Sequence, residues 1–464
     1  MKMKRIQMVC FSMLFLIAGV SAQVADSLSL KQCMEYAVEN STKIKLHRTE
    51  QSDAQLQRRD AILQAFTPRV TAGSSVYYNF GRAVDPESNT YTDVTSFNNN
   101  YAVNASMTLF DGFATINHIR MANTVVKMGI SEEQKLRNEL CLAVMEAYFN
   151  VQFQAQMKDV LHTQVEVAKE NVKLVGIQYE QGQKGYADKV QLEAELAEKE
   201  YQSITTENKY KDALLVLKDL MLWPVDEELL LQLVSPASDQ TSGLFIHEAE
   251  SSLSLSLNAA GEISAYAKEF HPTSLIAKRE MERARLDLKS ARGAFFPTLS
   301  LGGGWSTNYY TYPGKEDYHA ASFHSQFSNN RGSYVQLTLS FPIYDRLSTA
   351  SNLSRKKNAY RRAKVLYDQT QRDIESEVSR AVQDCKGAFQ ASIHAEKHAT
   401  VQEESYRLGQ RKMAQGLLSP VAYHTIAGTY LQAKANQLNA WFTYLLKQSV
   451  VNYYKGIGYL DQMK

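Results

Sequence analysis

The residues of this sequence with the best spacing for chemistry are two histidines. His394 and His398 stand four apart in a stretch with helical periodicity, so two imidazoles would share one helix face, as a metal ion requires. The carboxylates beside them, Glu396 and Glu403, are what any solvated helix carries, and the pair alone does not make a metal site. His319 and His324 fall in a polar stretch where exposed histidines need no further explanation. Gly302-Gly303-Gly304 has the composition of a phosphate cradle, but it lies inside a strand-like segment rather than between a strand and a helix. No nucleophile motif, zinc-ligand spacing or nucleotide fingerprint is present, so neither an enzyme nor a cofactor is expected.

The cysteines point the same way. Of four, Cys10 lies in the amino-terminal apolar run, which leaves Cys33, Cys141 and Cys385. Three cannot make a disulfide framework, and each sits in an apolar helical stripe, so buried thiols are expected. The run itself reads as a secretory signal over residues 1–22. Lys2, Lys4 and Arg5 precede the apolar segment Met8 to Val20, and Val20-Ser21-Ala22 supplies small residues at the cleavage positions. Removing those three basic residues takes the formal charge from +2 to −1, and no basic excess points to nucleic acid.

The elements that follow are written twice. Asp345 of Ile343-Tyr344-Asp345-Arg346 lies 234 positions after Asp111 of Leu109-Phe110-Asp111-Gly112, and Gly416 lies 234 positions after Gly182. Two unlike landmarks with one offset indicate a tandem duplication, here divided as 23–260 and 261–464. None of the nine prolines falls between 87 and 223 or between 343 and 419, so long helices can run there. Apolar residues in these gaps recur at steps of three and four, as in Leu161, Val165, Ala168, Val172 and Val175, and again in Ile374, Val378, Ala381, Cys385 and Ala388. A helix over 113–181 would be roughly 100 Å long at about 1.5 Å per residue. Each long helix turns at a glycine into a second one, over about 187–222 and 420–456, and so forms an antiparallel hairpin.

Before each hairpin stand two period-two segments, at 68–80 and 99–110 and at 297–310 and 333–343. Their partners are joined by long polar loops, 83–97 (with Asp85, Asn89, Thr92 and Asp93) and 312–330 (with Lys315, Glu316, Asn329 and Asn330). Period two over about ten residues is the pattern of a transmembrane β-strand, apolar toward lipid and polar toward a lumen. Four strands cannot close a barrel, and an open edge cannot face lipid, so several copies must share one. The fold class expected is mainly α with membrane β.

At this point the sequence resembles the TolC-type outer-membrane efflux family over essentially its whole mature length. Ser27 to Ser41 resembles the family's first helix. Phe296-Pro297-Thr298-Leu299-Ser300-Leu301 and Leu109-Phe110-Asp111-Gly112 resemble its strand signatures, and Tyr179 to Asp188 resembles its helical tip. The resemblance implies a homotrimer in outer-membrane lipid with one shared barrel of twelve strands above a periplasmic helical barrel. It also implies a mixed equatorial region over Trp223 to about His271, together with the two termini. As partners it implies a periplasmic adaptor and an inner-membrane pump or exporter, docked at tips formed by Gly182, Gln183, Gly185, Gly416, Leu417 and Ser419. The family often places an acidic residue after each tip to narrow the periplasmic mouth. Asp188 stands there in the first half, but Ala422 and then Thr425 follow in the second, and Asp188 serves equally as a helix cap. A soluble periplasmic coiled-coil scaffold is the competing reading; it explains the helices and not the paired strands.

Overall fold

A computed structural model describes residues 27–84, 89–93, 95–234, 260–313 and 318–462. The signal segment 1–22, Asp85, Lys315, Glu316 and the equatorial stretch 235–259 lie outside the described residues. The first half has helices α1 (Leu30–Asn40) and α2 (Thr42–Phe66), strands β1 (Arg69–Asn79), β2 (Arg82–Val84), β3 (Tyr91–Asp93) and β4 (Ser96–Phe110), then the hairpin α3 (Ala114–Glu180) and α4 (Tyr186–Met221). The second has α5 (Ala260–Phe270), α6 (Pro272–Gly293), β5 (Thr298–Thr311), α7 (Phe323–Asn329), β6 (Gly332–Ser340), and the hairpin α8 (Ser348–Ala414) and α9 (Pro420–Tyr454).

The two long helices, α3 and α8, are each 67 residues, on the order of 100 Å at 1.5 Å per residue. Neither is strongly amphipathic, because each changes neighbours along its length. Helix α3 packs on α4 below and on α2 and α6 above, while α8 packs on α9 below and on α6 above. Both open in the same unusual way. Gly112 and Phe113 in one half, and Arg346 and Leu347 in the other, occupy the left-handed region as consecutive pairs. Asp111 then accepts from the Thr115 amide at 2.9 Å, and Asp345 from the Thr349 amide at 2.7 Å. These aspartates are the landmarks of the duplicated motif, and their job is to supply acceptors for orphan amides of the first helical turn.

The main core lies at the equator. Cys33, Met34 and Ala37 of α1 pack against Val144, Met145 and Tyr148 of α3 and Leu217 and Met221 of α4. Residues 230–232 pair with Leu28, through Leu28 N–H to Leu230 O at 2.8 Å and Gln232 N–H to Leu28 O at 3.0 Å. Three α3 side chains hold this segment: Tyr148 Oη and Gln152 Nε2 donate to Gln232 O at 2.7 and 2.8 Å, and Gln156 Nε2 donates to Val234 O at 2.9 Å. In the second half Ile263 and Ala267 of α5 pack on Ile374, Val378 and Cys385 of α8. Cys33, Cys141 and Cys385 are free and buried, and burial raises their thiols to about 12, 11 and 11.

The four long strands form one antiparallel sheet in the order β1-β4-β5-β6. The two loops expected between strands are partly ordered. β2 and β3 pair into a small two-stranded sheet within the first, and α7 forms within the second, capped by Ser322, which accepts from the Ser325 amide at 3.3 Å. Helix α7 has a definite task. β5 runs past the end of β6 through Thr307–Thr311, and there Gln326 takes the place of a strand partner. Its carboxamide accepts from Tyr310 N–H at 3.0 Å and donates to Tyr310 O at 2.9 Å. No described helix is long and apolar enough to cross a membrane.

The two halves meet backbone to backbone where α3 begins and α6 ends. A Cβ on Gly112 would stand 2.0 Å from Gly293 O, and one on Gly293 would stand 2.1 Å from Gly112 O. Neither obstruction is a side chain that can swing away. Gly293→Ala is therefore expected to lower unfolding stability by about 1–3 kcal/mol, the usual range for overpacking. A urea midpoint equal to wild type would show that the corner is looser than this geometry states.

Candidate conduit wall and helical tips

Strand register sorts the sheet into two faces. One carries the cross-strand rows Val70–Ala105–Gly303–Val335 and Met107–Leu301–Leu337, with Val103 opposite Trp305. The other carries Thr71–Asn104–Gly304–Tyr334 and Thr108–Ser300–Thr338, with Asn100 opposite Asn308. Of the three glycines with the composition of a phosphate cradle, Gly304 gives room on this polar face: a Cβ on it would meet Asn104 Oδ1 and the Tyr334 ring at 2.6 Å. Both outer strands, β1 and β6, are exposed along their whole length.

The polar face continues into the helical part of the molecule. Helices α2, α3, α6 and α8 enclose an open trough of about 1340 Å³, lined by small residues such as Ala61, Ala122 and Ala284 among Gln57, Gln64 and Arg362. Gln64 also lines a cleft with Arg69, Ser106, Thr108 and Ser300, which are polar-face residues, beside Met107. His118 and Asp287 likewise join the trough to a cleft bounded by Thr298 and Ser340. One wetted surface thus runs from the helices onto the sheet. Two ion pairs lie along it, Lys356 with Asp287 at 2.7 Å and Arg283 with Glu280 at 2.6 Å, beside Asp60 and Arg362.

The tips lie at the other end. Both reversals use the same hydrogen bonds. Gly182 N–H donates to Tyr179 O at 2.9 Å and Gln183 N–H to Gln178 O at 2.8 Å. Gly416 N–H donates to Met413 O at 3.0 Å and Leu417 N–H to Lys412 O at 2.8 Å. Gly182 and Gly416 have φ of +75° and +73°, the left-handed conformation that ends a helix most cheaply as glycine. Gly185 precedes α4, and its amide donates to Asp188 Oδ2 at 3.4 Å, so Asp188 caps its helix. In the second tip Ser419 caps α9 by accepting from the Ala422 amide at 3.3 Å, with Pro420 in the first helical position. Leu417 is 72% exposed.

Sequence reasoning missed a polar layer just above the tips. Glu195 and Lys199 of α4 are 4% and 3% exposed, on a helix that reads as evenly solvated. His424 of α9 brings Nδ1 to 3.7 Å from Glu195 and Nε2 to 3.9 Å from Glu198. Burial pushes the Glu195 carboxyl up, against the pull of His424 and Lys199, and pushes the Lys199 ammonium down. Only the folded arrangement of two hairpins identifies this layer. The pair His394 and His398 is not brought to other ligands; His398 Nε2 stands 3.4 Å from Gln402 Nε2, and no described group of three His, Cys, Asp or Glu is placed to hold a metal.

A match to known proteins fits this geometry. The model of the outer membrane efflux protein family matches residues 36–221 and 268–458, one stretch in each half. The chain belongs to the outer membrane efflux protein family. Its place is the cell outer membrane, with the helical hairpins extending into the periplasm. Among solved structures, CusC superposes with a TM-score of 0.75 at 14% identity, over 92% of this chain and 91% of that one. The outer membrane protein VceC of Vibrio cholerae gives 0.72 at 14%, over 93% and 96%. The CmeC outer membrane channel of Campylobacter jejuni gives 0.72 at 15%, over 93% and 85%. At such identities the superpositions establish a shared fold. No curated protein sequence matches the chain. The family and its structural neighbours are channels rather than enzymes.

The equatorial and tip groups yield two expectations. His271 is stacked on Tyr454, and burial, with a smaller push from Lys135, lowers its imidazole to about 4 from 6.5. A base held below its ordinary value favours folding above pH 6.5 and loses that contribution as pH falls toward 4. His271 also caps α6, its Nδ1 accepting from the Thr273 amide at 3.3 Å, so wild type should lose stability over this window relative to His271→Asn, which keeps a neutral cap; parallel pH profiles would contradict it. At the tips, Gly182→Val and Gly416→Val meet no obstructing atom but must adopt φ of +75° and +73°. Each should cost about 1–2 kcal/mol locally, seen as faster amide exchange around the reversal with global unfolding unchanged. Unchanged exchange there would refute the strain.

Proposed function

We propose that three copies of the chain close one barrel of twelve strands over a periplasmic helical tunnel, and that this conduit exports solutes across the outer membrane. The observation that carries this reading is the four-stranded sheet whose outer strands are both unpaired and exposed. β6 runs antiparallel to β1, since directions alternate across the sheet. Copies placed edge to edge therefore continue the antiparallel pattern without a reversal. Two copies would give eight strands, about the number at which side chains fill a barrel; three leave a lumen for the polar face. The helical trough, continuous with that face, becomes the wall of the tunnel. CusC, similar in fold, is described by folding and transmembrane channel formation, and CmeC as an outer membrane channel.

The tips dock with a periplasmic adaptor and, through it, an inner-membrane transporter. Support comes from the resemblance of Tyr179 to Asp188 to the family's tip, and from the exposure of Gly182, Gln183, Gly185, Gly416 and Leu417 beyond the last core layer, with Ser419 at the start of α9. With Asp188 turned to capping and Ala422 in its counterpart's place, the mouth has no ring of paired acids at these two positions. The chain is divided as two repeats, 23–260 and 261–464, each contributing two strands and one hairpin.

Purified protein in planar bilayers should give discrete conductance steps; a protein that never conducts would remove the channel reading. In cells lacking this chain, an efflux dye should be retained, and wild type should restore its export. A bulky Leu417→Trp or Gly416→Trp variant that still conducts should restore less. Full export by both variants at wild-type levels would remove the docking role of the tips.

A further inference from the structure

The four strands contain 49 residues (11, 15, 14 and 9) and a single formal charge, Arg69. Charge is expected to be absent from the face that meets lipid. On the polar face, where water would tolerate charge, Arg69 is the one charge the four strands carry, which is a separate fact. That face is lined with carboxamides and hydroxyls instead: Asn98, Asn100, Asn104, Asn308 and Gln336 alternate with serine, threonine and tyrosine. Two of the tyrosines are tied to it, Tyr334 Oη donating to Asn104 Oδ1 at 3.3 Å and Tyr77 Oη accepting from Asn100 Nδ2 at 3.4 Å.

A carboxamide offers an acceptor and two donors and carries no net charge, so it solvates cations and anions alike. Selective pores are instead made by rings of like charge. The four strands do not supply one. Outside them, Asp287 and Glu280 of the trough are paired with Lys356 and Arg283, Asp60 and Arg362 also line it, and of the two tip positions only Asp188 is acidic, with Ala422 in the second. Arg69 stands at the first position of β1, next to the cleft that links sheet to trough.

We infer that the barrel section is a charge-neutral exit that passes cargo of either sign, and that Arg69 is the strand residue setting its residual preference, toward anions, at the periplasmic end. This rests on the reading of the chain as a shared-barrel channel. Three copies would make Arg69 a sparse ring of three positive charges, well separated in water and screened by salt. Cargo would then be sorted by size and by the pump that delivers it rather than by charge in the outer membrane.

The test is the reversal potential of the full-length protein in planar bilayers under a potassium chloride gradient. Conductance alone reports on the channel reading, and the potential reports on this inference. Wild type should show a cation-to-anion permeability ratio within about twofold of one, since the strands carry no ring of acids. Arg69→Gln should move the ratio toward potassium. Asn100→Asp, which places a carboxylate in each copy of the polar face, should make the channel clearly cation-selective, by roughly severalfold. A conducting wild type that strongly prefers one ion would overturn the inference. So would an Asn100→Asp channel with an unchanged ratio, because the polar face would then not line the pore. Absence of any conductance would remove the channel reading and the inference with it.

Discussion

The constraint on which the rest depends is the unpaired backbone at the two edges of a four-stranded sheet. In water such an edge would be solvated; in hydrocarbon each orphan N–H and C=O costs several kcal/mol. One face of the sheet carries Val, Leu, Met and Trp on its strands, so on the shared-barrel reading it meets lipid and its edges are covered by further strands. The chain deals with the one edge it can reach. Where β6 stops short of the end of β5, Gln326 supplies the missing donor and acceptor to Tyr310. For the full lengths of β1 and β6 the partner on the shared-barrel reading is another copy, which the alternating strand direction lets fit without rearrangement.

The same sheet explains why the helices must be anchored as they are. A conduit wall of helices about 100 Å long has little core of its own, since each helix buries only a narrow stripe. Stability is therefore concentrated at the equator, where α1, α3 and α4 meet and where Gln152 and Gln156 bind the returning segment at Gln232 and Val234. Nearer the sheet the structure relies on glycine. Gly112 and Gly293 bring the two halves into backbone contact, so the strands of both halves enter one sheet in register. At the far end, glycine again serves, now in the left-handed residues that reverse each hairpin.

Much of this was legible in the sequence because the signals are local. Period two from Tyr101 to Leu109 and from Val335 to Leu339, and the apolar seam from Leu161 to Val175, are set by neighbouring residues and survive into the folded chain. The landmark aspartates were legible as repeats, though their role as caps emerged only with Thr115 and Thr349 in place. What could not be read depends on partners distant in the chain. Glu195 and Lys199 carry no local sign of burial in the sequence, and their burial depends on α9, whose His424 lies beside Glu195. Helix α7 read as a polar loop, since its reason for folding is the free edge of β5 rather than any periodicity of its own. At the tips the glycines and Ser419 were legible as turn and cap chemistry. Asp188 had two readings, cap and mouth acid, and its bond to the Gly185 amide accounts for the first.

The most direct test of the shared barrel is the mass of the protein extracted from outer membranes in mild detergent, measured by native mass spectrometry. Three copies per particle, held together until the strands themselves unfold, is the predicted result. A stable single copy carrying a folded sheet would contradict it, because the edges of β1 and β6 would then have to survive in lipid without partners.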